Sequence, residues 1–176
     1  MKQIILLFFV SFSVIAQEDT FTKEAASLAQ NLKLSIMKNV SGKVAKEGTE
    51  KAIEFCHVNV KTIAQSAAKD YVSKYEFGRT SHKLRNKKNQ PAPWMDEYLK
   101  KFKSTKSGEL GPVVHTLQDG KRVYLEPIYL QPLCLNCHGE NLSSSVKEKL
   151  LTLYPEDKAV DFSLGDFRGF IWVKEK

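Results

Sequence analysis

The sequence predicts an α+β fold in which long N-terminal helices precede a central antiparallel β-sheet. Apolar residues recur at steps of three and four over the first third of the chain, the spacing of amphipathic helices. Two segments rich in Val, Leu, Tyr and Ile flank Asp119-Gly120, a turn sequence typical of a β-hairpin. A further apolar run at Phe170–Val173 predicts another strand. Long helices followed by antiparallel strands are typical of this fold class.

The first helix is predicted over Thr20–Ala45, because apolar side chains recur there at every fourth position and would form one face. These are Leu28, Leu32, Ile36, Val40 and Val44. Gly48 interrupts the pattern before a second helix, which is predicted over Thr49–Tyr75. The second helix also has an apolar stripe, which we expect to be buried. It consists of Ile53, Cys56, Val60, Ile63 and Ala67.

The segment Gly78–Pro93 is polar and basic and lacks an apolar period, so it predicts a loop. A short helix is predicted over Trp94–Phe102. The hairpin strands are predicted over Pro112–Leu117 and Arg122–Leu130, and the second of them runs almost directly into a cysteine motif.

A further helix is predicted from an N-cap at Ser143 through about Leu153. Tyr154-Pro155 closes it, because proline cannot continue a helix.

The N-terminus has the pattern of a secretion signal. Lys2 supplies a positive start, and Ile4–Ile15 is an uncharged apolar run that is short for a bilayer span. We expect cleavage after Ala16, which makes residues 1–16 the signal peptide and residues 17–176 one domain. An uncleaved membrane anchor is the alternative. The expected location is the bacterial periplasm, with no membrane span in the mature chain.

Residues 134–138 read Cys-Leu-Asn-Cys-His, the attachment sequence of a c-type haem. In such a motif Cys134 and Cys137 form thioether bonds to the vinyl groups, and His138 becomes the proximal iron ligand. A disulfide or half of a zinc site is the alternative. A zinc site would need two more soft ligands, and Cys56 is the one cysteine left. Haem is attached to this motif outside the cytoplasmic membrane, so the signal and the motif agree. We expect one covalent haem c.

Three cysteines are an odd number for an exported protein, so Cys56 needs a role. A buried cysteine is often only a small apolar residue, but beside haem its thiolate is a strong axial ligand that lowers the reduction potential. From the residues alone, Cys56 and His57 are comparable candidates for the sixth ligand. Weaker candidates are His82, His115, Met37 and Met95, and a vacant position is also open.

The chain has a formal net charge of +7, and loss of Lys2 with the signal leaves about +6. A basic surface suits an acidic redox partner in the periplasm, although a solvated lysine surface without a partner explains it equally well. Export excludes nucleic acid as a partner of Lys87-Lys88. The two N-terminal helices also make a homodimer plausible.

Several motifs follow one another in a specific order along the chain. The loop Gly78–Asn86, with Asn89, Pro91 and Trp94, comes first, and the later segments are Pro127, Cys134–Gly139, Tyr154-Pro155, Asp157, Ala159, Gly165-Asp166 and Arg168-Gly169. In these motifs and their order the chain resembles the PAS-like haem c domains, a family of exported proteins and receptor sensor domains. The resemblance covers nearly the whole mature chain.

The resemblance implies a PAS-like sheet with N-terminal helices and one covalent haem. It also implies that the cysteine of the long helix, here Cys56, is the distal iron ligand, which places Cys56 above His57. Lys87 stands where the family usually has proline, and Asp161-Phe162 where it has a glycine-tyrosine pair. Neither departure affects the haem ligands.

Arg79 and Arg85 in the basic loop carry planar guanidinium groups suited to a haem propionate. Alternatively, the polar residues of this loop only hold its irregular backbone together.

Two functions are consistent with these features: one-electron transfer or redox sensing by a closed haem, or a haem-based gas or ligand sensor that signals to a separate protein. No pair of catalytic groups is evident in the sequence, so we do not expect an enzyme.

Overall fold

A four-stranded antiparallel sheet forms the centre of the structure, a computed structural model that describes residues 19–176. Its strands are β1 (Tyr75–Thr80), β2 (Val113–Thr116), β3 (Arg122–Tyr129) and β4 (Phe167–Glu175). Their spatial order is β1-β4-β3-β2. The fold is therefore α+β, as predicted. The predicted signal peptide lies outside the described residues.

Five α-helices accompany the sheet: α1 (Thr20–Glu47), α2 (Thr49–Ala67), α3 (Asp96–Phe102), α4 (Leu135–His138) and α5 (Ser144–Leu153). Asp19 caps α1, and its carboxylate accepts a hydrogen bond from the Thr22 backbone N–H at 3.1 Å. Gly48, with φ of 85°, makes the sharp break between α1 and α2 that a residue with a Cβ would resist. Within residues 19–176, no helix is long and apolar enough to cross a membrane.

The first half of α1 packs on one face of the sheet. Its buried residues are Phe21, Ala25, Leu28, Ala29 and Leu32, and they contact Tyr124, Ile171 and Val173 of the sheet. The opposite face packs against α3 through Leu99 and Phe102, which join a cluster with Val123, Leu125, Phe167 and Phe170. Val123, Tyr124 and Leu125 alternate between the two faces, as side chains of a strand do. Both faces of the sheet are thus covered.

The hairpin is confirmed. Its strands pair from Val113 with Leu125 to Thr116 with Arg122. Gly120 adopts a φ of 83° in the turn, a value that glycine reaches without strain. The predicted cap of α5 is confirmed too, because the Ser143 hydroxyl accepts a hydrogen bond from the Val146 N–H at 3.3 Å.

Two predictions around residue 75 were wrong. The second helix ends at Ala67 instead of Tyr75, and residues 75–80 form an edge strand that was predicted partly as helix and partly as loop. Tertiary pairing decides both, because the backbone from Tyr75 to Thr80 bonds to β4. Gly78 serves this strand: a Cβ there would lie 2.5 Å from the Trp172 ring, so only glycine permits the close approach.

Candidate haem site

The cysteine motif lies in one compact helical segment. Pro132–Cys134 forms a short 3-10 turn, and α4 follows at once with Cys137 and His138. Both cysteines are half-buried. Gly139 ends α4, and a Cβ at this position would lie 2.7 Å from the Leu135 carbonyl oxygen. This packing explains why glycine follows the histidine.

His138 is held in the form that binds a metal. Its Nδ1 lies 2.7 Å from the carbonyl oxygen of Ala159. A carbonyl oxygen only accepts, so Nδ1 carries the proton and Nε2 keeps its lone pair. Burial, followed by the charges of Arg168 and Arg85, holds the pKa of His138 well below its usual value. The imidazole is therefore neutral at neutral pH.

Arg85 connects the cysteine motif, through hydrogen bonds, to the segment that contains Ala159. Its Nη2 donates to the Cys137 carbonyl oxygen at 2.6 Å and to that of Ala159 at 3.2 Å. Its Nε donates to the carboxylate of Asp157 at 2.9 Å. Asp157 in turn accepts from the Ala159 N–H at 2.8 Å. These bonds make Arg85 a positioning residue for His138, and the prediction that it binds a propionate stays a prediction.

Arg79 on β1 differs from Arg85, because no residue within 19–176 accepts a hydrogen bond from it or pairs with its charge. Burial is the main cause of its lowered pKa, while the Cys56 and Tyr154 groups nearby act in the opposite direction. Arginine nevertheless stays protonated near neutral pH. Its unpartnered guanidinium is suited to a carboxylate, and binding of Arg79 to a propionate stays a prediction.

Cys56 on α2 lies beside the motif. Burial raises the pKa of its thiol, and the nearby charges of Arg79 and Arg85 oppose that rise. Burial also raises the pKa of Cys137 to about 11, and Cys56 adds to the effect. Ile53, one turn before Cys56, packs in the same apolar cluster as Cys137. Cys56 therefore faces the region that α4 occupies, although it is half-buried and not fully buried as predicted.

The other candidate ligands are exposed or held in different surroundings. His57 is exposed, and its ring lies edge-on to Tyr154 at 5.0 Å. His115 stacks on Trp94 at 4.5 Å, and Met95 is buried in the core beneath α3. The others are Met37, half-buried on α1, and His82, which packs against Phe162 and Phe167.

Arg168 was named in the sequence only as part of the family resemblance, and its role at the site was not predicted. It is the extra residue of a β-bulge, because Ile128 pairs with Gly169 while Tyr129 pairs with Phe167. Its Nη1 donates to the Ser81 hydroxyl at 2.7 Å and to the Lys83 carbonyl oxygen at 3.0 Å. A charged residue between Phe167 and Phe170 in a buried strand was the available signal.

The arginines form a positive cluster behind the motif. Burial, with the charges of Arg85 and Arg79, lowers the pKa of Arg168 to about 9. Among residues 19–176, Asp157 is the carboxylate paired with a member of this cluster, through Arg85. Three arginine charges against one carboxylate leave +2 at the site. That charge matches a ligand edge with two carboxylates, such as the two propionates of a haem, so the residues present fit a haem.

The comparisons with known proteins agree with the fold. A model of the Tll0287-like family matches residues 14–175. The crystal structure of the cyanobacterial haem protein Tll0287 is similar, with a TM-score of 0.61 and 24% sequence identity. The match covers 84% of this chain and 89% of that chain. No curated protein matches the sequence. Because the family model spans most of the chain, this protein is a member of the Tll0287-like family.

Proposed function

We propose that this protein binds one covalent haem c and works as a monohaem cytochrome in one-electron transfer or redox sensing. Cys134 and Cys137 would hold the haem through thioether bonds, with His138 and Cys56 as the axial ligands. The single observation that carries the proposal is the hydrogen bond from His138 Nδ1 to Ala159, which orients the ring and leaves Nε2 for iron. The likeness to a structure described as a haem protein supports it.

The bound haem would supply a carrier for single electrons, and the protein would set its reduction potential. A thiolate from Cys56 lowers that potential, whereas the uncompensated charges of Arg79 and Arg168 raise it. Arg79 has guanidinium N–H groups available for a propionate. In this proposal both axial positions belong to the protein, so no catalytic reaction is assigned to the iron.

The proposal places the mature chain, residues 17–176, in the periplasm after cleavage of the signal peptide. Its basic surface would meet an acidic redox or signalling protein there, with electrostatic attraction increasing the rate of encounter. Nucleic acid has no place among its partners. Association of two copies through the N-terminal helices stays a prediction.

The test is to export the full chain from a bacterium that contains haem-attachment machinery and to examine the purified protein. We expect one haem per chain that survives denaturation and acid-acetone extraction, and no covalent haem in the Cys134→Ala/Cys137→Ala variant. A full chain without covalent haem would refute the proposal, and so would covalent haem in the double variant.

Electron paramagnetic resonance then tests the axial ligand. The oxidised protein should give a low-spin thiolate signal. Cys56→Ala should lose this signal while keeping covalent haem, and His57→Ala, the matched control on the same helix, should keep both. A low-spin bis-histidine signal in the unaltered protein, kept in Cys56→Ala and lost in His57→Ala, would reverse the ligand assignment.

A gas or ligand sensor is the second candidate, and the packing of α2 favours it. Ala52 and Ile53 are the buried residues of this helix, so the turn that carries Cys56 is only partly held by the core. A ligand on such a turn is easier to displace than one in a packed core. Carbon monoxide binding to the reduced protein distinguishes the two: no binding supports a closed haem, and ready binding supports the sensor.

A further inference from the structure

A concavity of about 390 Å³ lies between the loop after β1, helix α3 and the segment at residues 156–158. Its wall carries Lys87, Lys100, Lys103 and Lys158, together with His82. We call it the lysine pocket. It is separate from the cysteine motif, and nothing in the proposed haem chemistry uses its lysines.

The lysine pocket has more positive charge than its own carboxylates balance. Lys87 pairs with Glu156. For Lys100, Lys103 and Lys158, no carboxylate within residues 19–176 lies at ion-pair distance. Four lysines against the pocket carboxylates Asp96 and Glu156 leave a net charge of +2.

The C-terminus of a helix attracts lysines, and this alone would account for Lys100 and Lys103 at the end of α3. These two lie three residues apart, where like charges repel. Lys158, however, comes from a different segment, and its backbone N–H is fixed by a 2.8 Å hydrogen bond to the Leu84 carbonyl oxygen. Lysines without a carboxylate partner thus line one pocket from two separate segments.

His82 supplies an independent observation. Its Nδ1 is buried and has no hydrogen-bond partner within residues 19–176. The ring is stacked on Phe167 at 5.8 Å with an interplanar angle of 12°, and Phe162 lies edge-on at 5.8 Å. The protein therefore does not fix the tautomer through Nδ1, and a ligand acceptor at Nε2 would place the ring proton there. Nε2–H is then a donor without a protein acceptor on a residue that lines the lysine pocket.

We propose that the lysine pocket binds a small organic dicarboxylate. The lysines supply charge-assisted donors for carboxylate oxygens, and His82 supplies a directed N–H. Leu84, Pro91 and Leu99 also line the pocket and provide an apolar surface for a short carbon chain, which inorganic phosphate lacks. The charge of −2 on such a ligand equals the net charge of the pocket in magnitude.

A ligand bound in the lysine pocket would influence the position of His138, the proposed iron ligand, through two aromatic contacts. Phe162 contacts His82, and it also lies edge-on to His138 at 6.4 Å. This consequence rests on the proposed haem function, whereas binding to the pocket does not.

The test is isothermal titration calorimetry of the full exported protein at low ionic strength, with succinate, inorganic phosphate and the uncharged analogue succinamide as probes. We expect one succinate per chain, weaker binding of phosphate and no binding of succinamide. Lys100→Gln/Lys103→Gln should weaken succinate at least tenfold, because each lost charge-assisted bond contributes that order of affinity. His82→Phe, which keeps the aromatic stacking, should also weaken it.

The matched control is Lys61→Gln/Lys69→Gln, which removes the same charge from exposed positions on and just after α2. Succinate should bind this variant as it binds the unaltered protein. If succinate binding were weakened equally in both double variants, the loss would come from the change in net charge alone, and the proposal would be overturned. Absence of succinate binding would also overturn it, and tighter binding of phosphate would refute the organic ligand. Because the heat of binding does not depend on the spectrum of the haem, these outcomes are independent of the haem experiments.

Discussion

The imidazole Nδ1 of His138 lies 2.7 Å from the carbonyl oxygen of Ala159, twenty-one residues farther along the chain. This bond joins the helical cysteine motif to a segment whose position depends on Arg85 and Asp157. The orientation of the proposed iron ligand is thus set by residues outside the motif. Such an outer contact fixes the tautomer and orientation of a metal ligand, and its loss typically costs about 10–100-fold in metal affinity or activity.

The ion pair of Arg85 with Asp157 is expected to be structurally costly to break. The two side chains are 14% and 7% exposed, so removal of the carboxylate leaves a buried charge unpaired. Asp157→Ala should lower the free energy of unfolding by about 3 kcal/mol, measured by urea denaturation. Glu156→Ala, which breaks the exposed pair with Lys87, should change it by less than about 1 kcal/mol. Similar losses in both variants would contradict this assignment.

Gly169 permits β4 to approach the end of β1. It has a φ of 148°, and a Cβ would lie 2.1 Å from the Thr80 carbonyl oxygen. Gly169→Ala should therefore destabilise the protein by more than about 3 kcal/mol or prevent folding, because backbone must move. Gly42→Ala is the matched control: its Cβ meets nothing within 4 Å, and it lies within α1. That change should stabilise the protein by about 0.5–1 kcal/mol. If thermal unfolding gave the same change in stability for Gly169→Ala and Gly42→Ala, the close approach at Gly169 would be refuted.

Arg168 should raise the reduction potential of the proposed haem. It is half-buried near His138, and no carboxylate within residues 19–176 pairs with it. Arg168→Gln removes a positive charge and so favours the oxidised iron. We expect the midpoint potential to fall by about 50 mV, the order of one partly screened charge near the iron. Redox titration of the haem-loaded protein measures this shift.

Lys61→Gln, an exposed change on α2, is the control for Arg168→Gln and should leave the potential within about 10 mV because solvent screens that charge. An unchanged potential in Arg168→Gln would show that its role is only structural.

Tyr75 should make stability fall at alkaline pH. Burial, together with a 2.6 Å hydrogen bond from its hydroxyl to Glu24, raises its pKa to about 12. The folded state therefore binds the phenolic proton more tightly than the unfolded chain, whose tyrosine pKa is about 10. The Tyr75 contribution is fully present below pH 10 and is lost as the pH rises toward 12.

Denaturant unfolding at several pH values between 8 and 11 tests this expectation for Tyr75. The unaltered protein should lose more stability over that interval than Tyr75→Phe, which has no phenolic proton. Parallel pH dependence in the two proteins would show that Tyr75 titrates normally when folded.

The elements that were predicted well are those with strong local signals. The period of Leu28 and Leu32 predicts the first helix, Asp119-Gly120 predicts the hairpin, and Ser143 predicts the start of α5; the structure confirms all three. Strand β1 was missed because its stabilisation comes from pairing with β4, whose partner residues lie 90 to 100 positions farther along the chain. A polar edge strand carries little apolar alternation of its own.

The sequence by itself determined the cysteine motif, the α+β class and the charged residues available to the site, since these depend on residue types and short spacings. Only the tertiary structure decided which charges are paired. In the folded chain, Arg85 forms an ion pair with Asp157, whereas Arg79 has no such partner among the described residues. A β-bulge places Arg168 where it bonds to Ser81. Local spacing cannot specify these outcomes, because each arises from contacts between segments far apart in the chain. The free energy of a buried charge depends on the partners that folding brings to it.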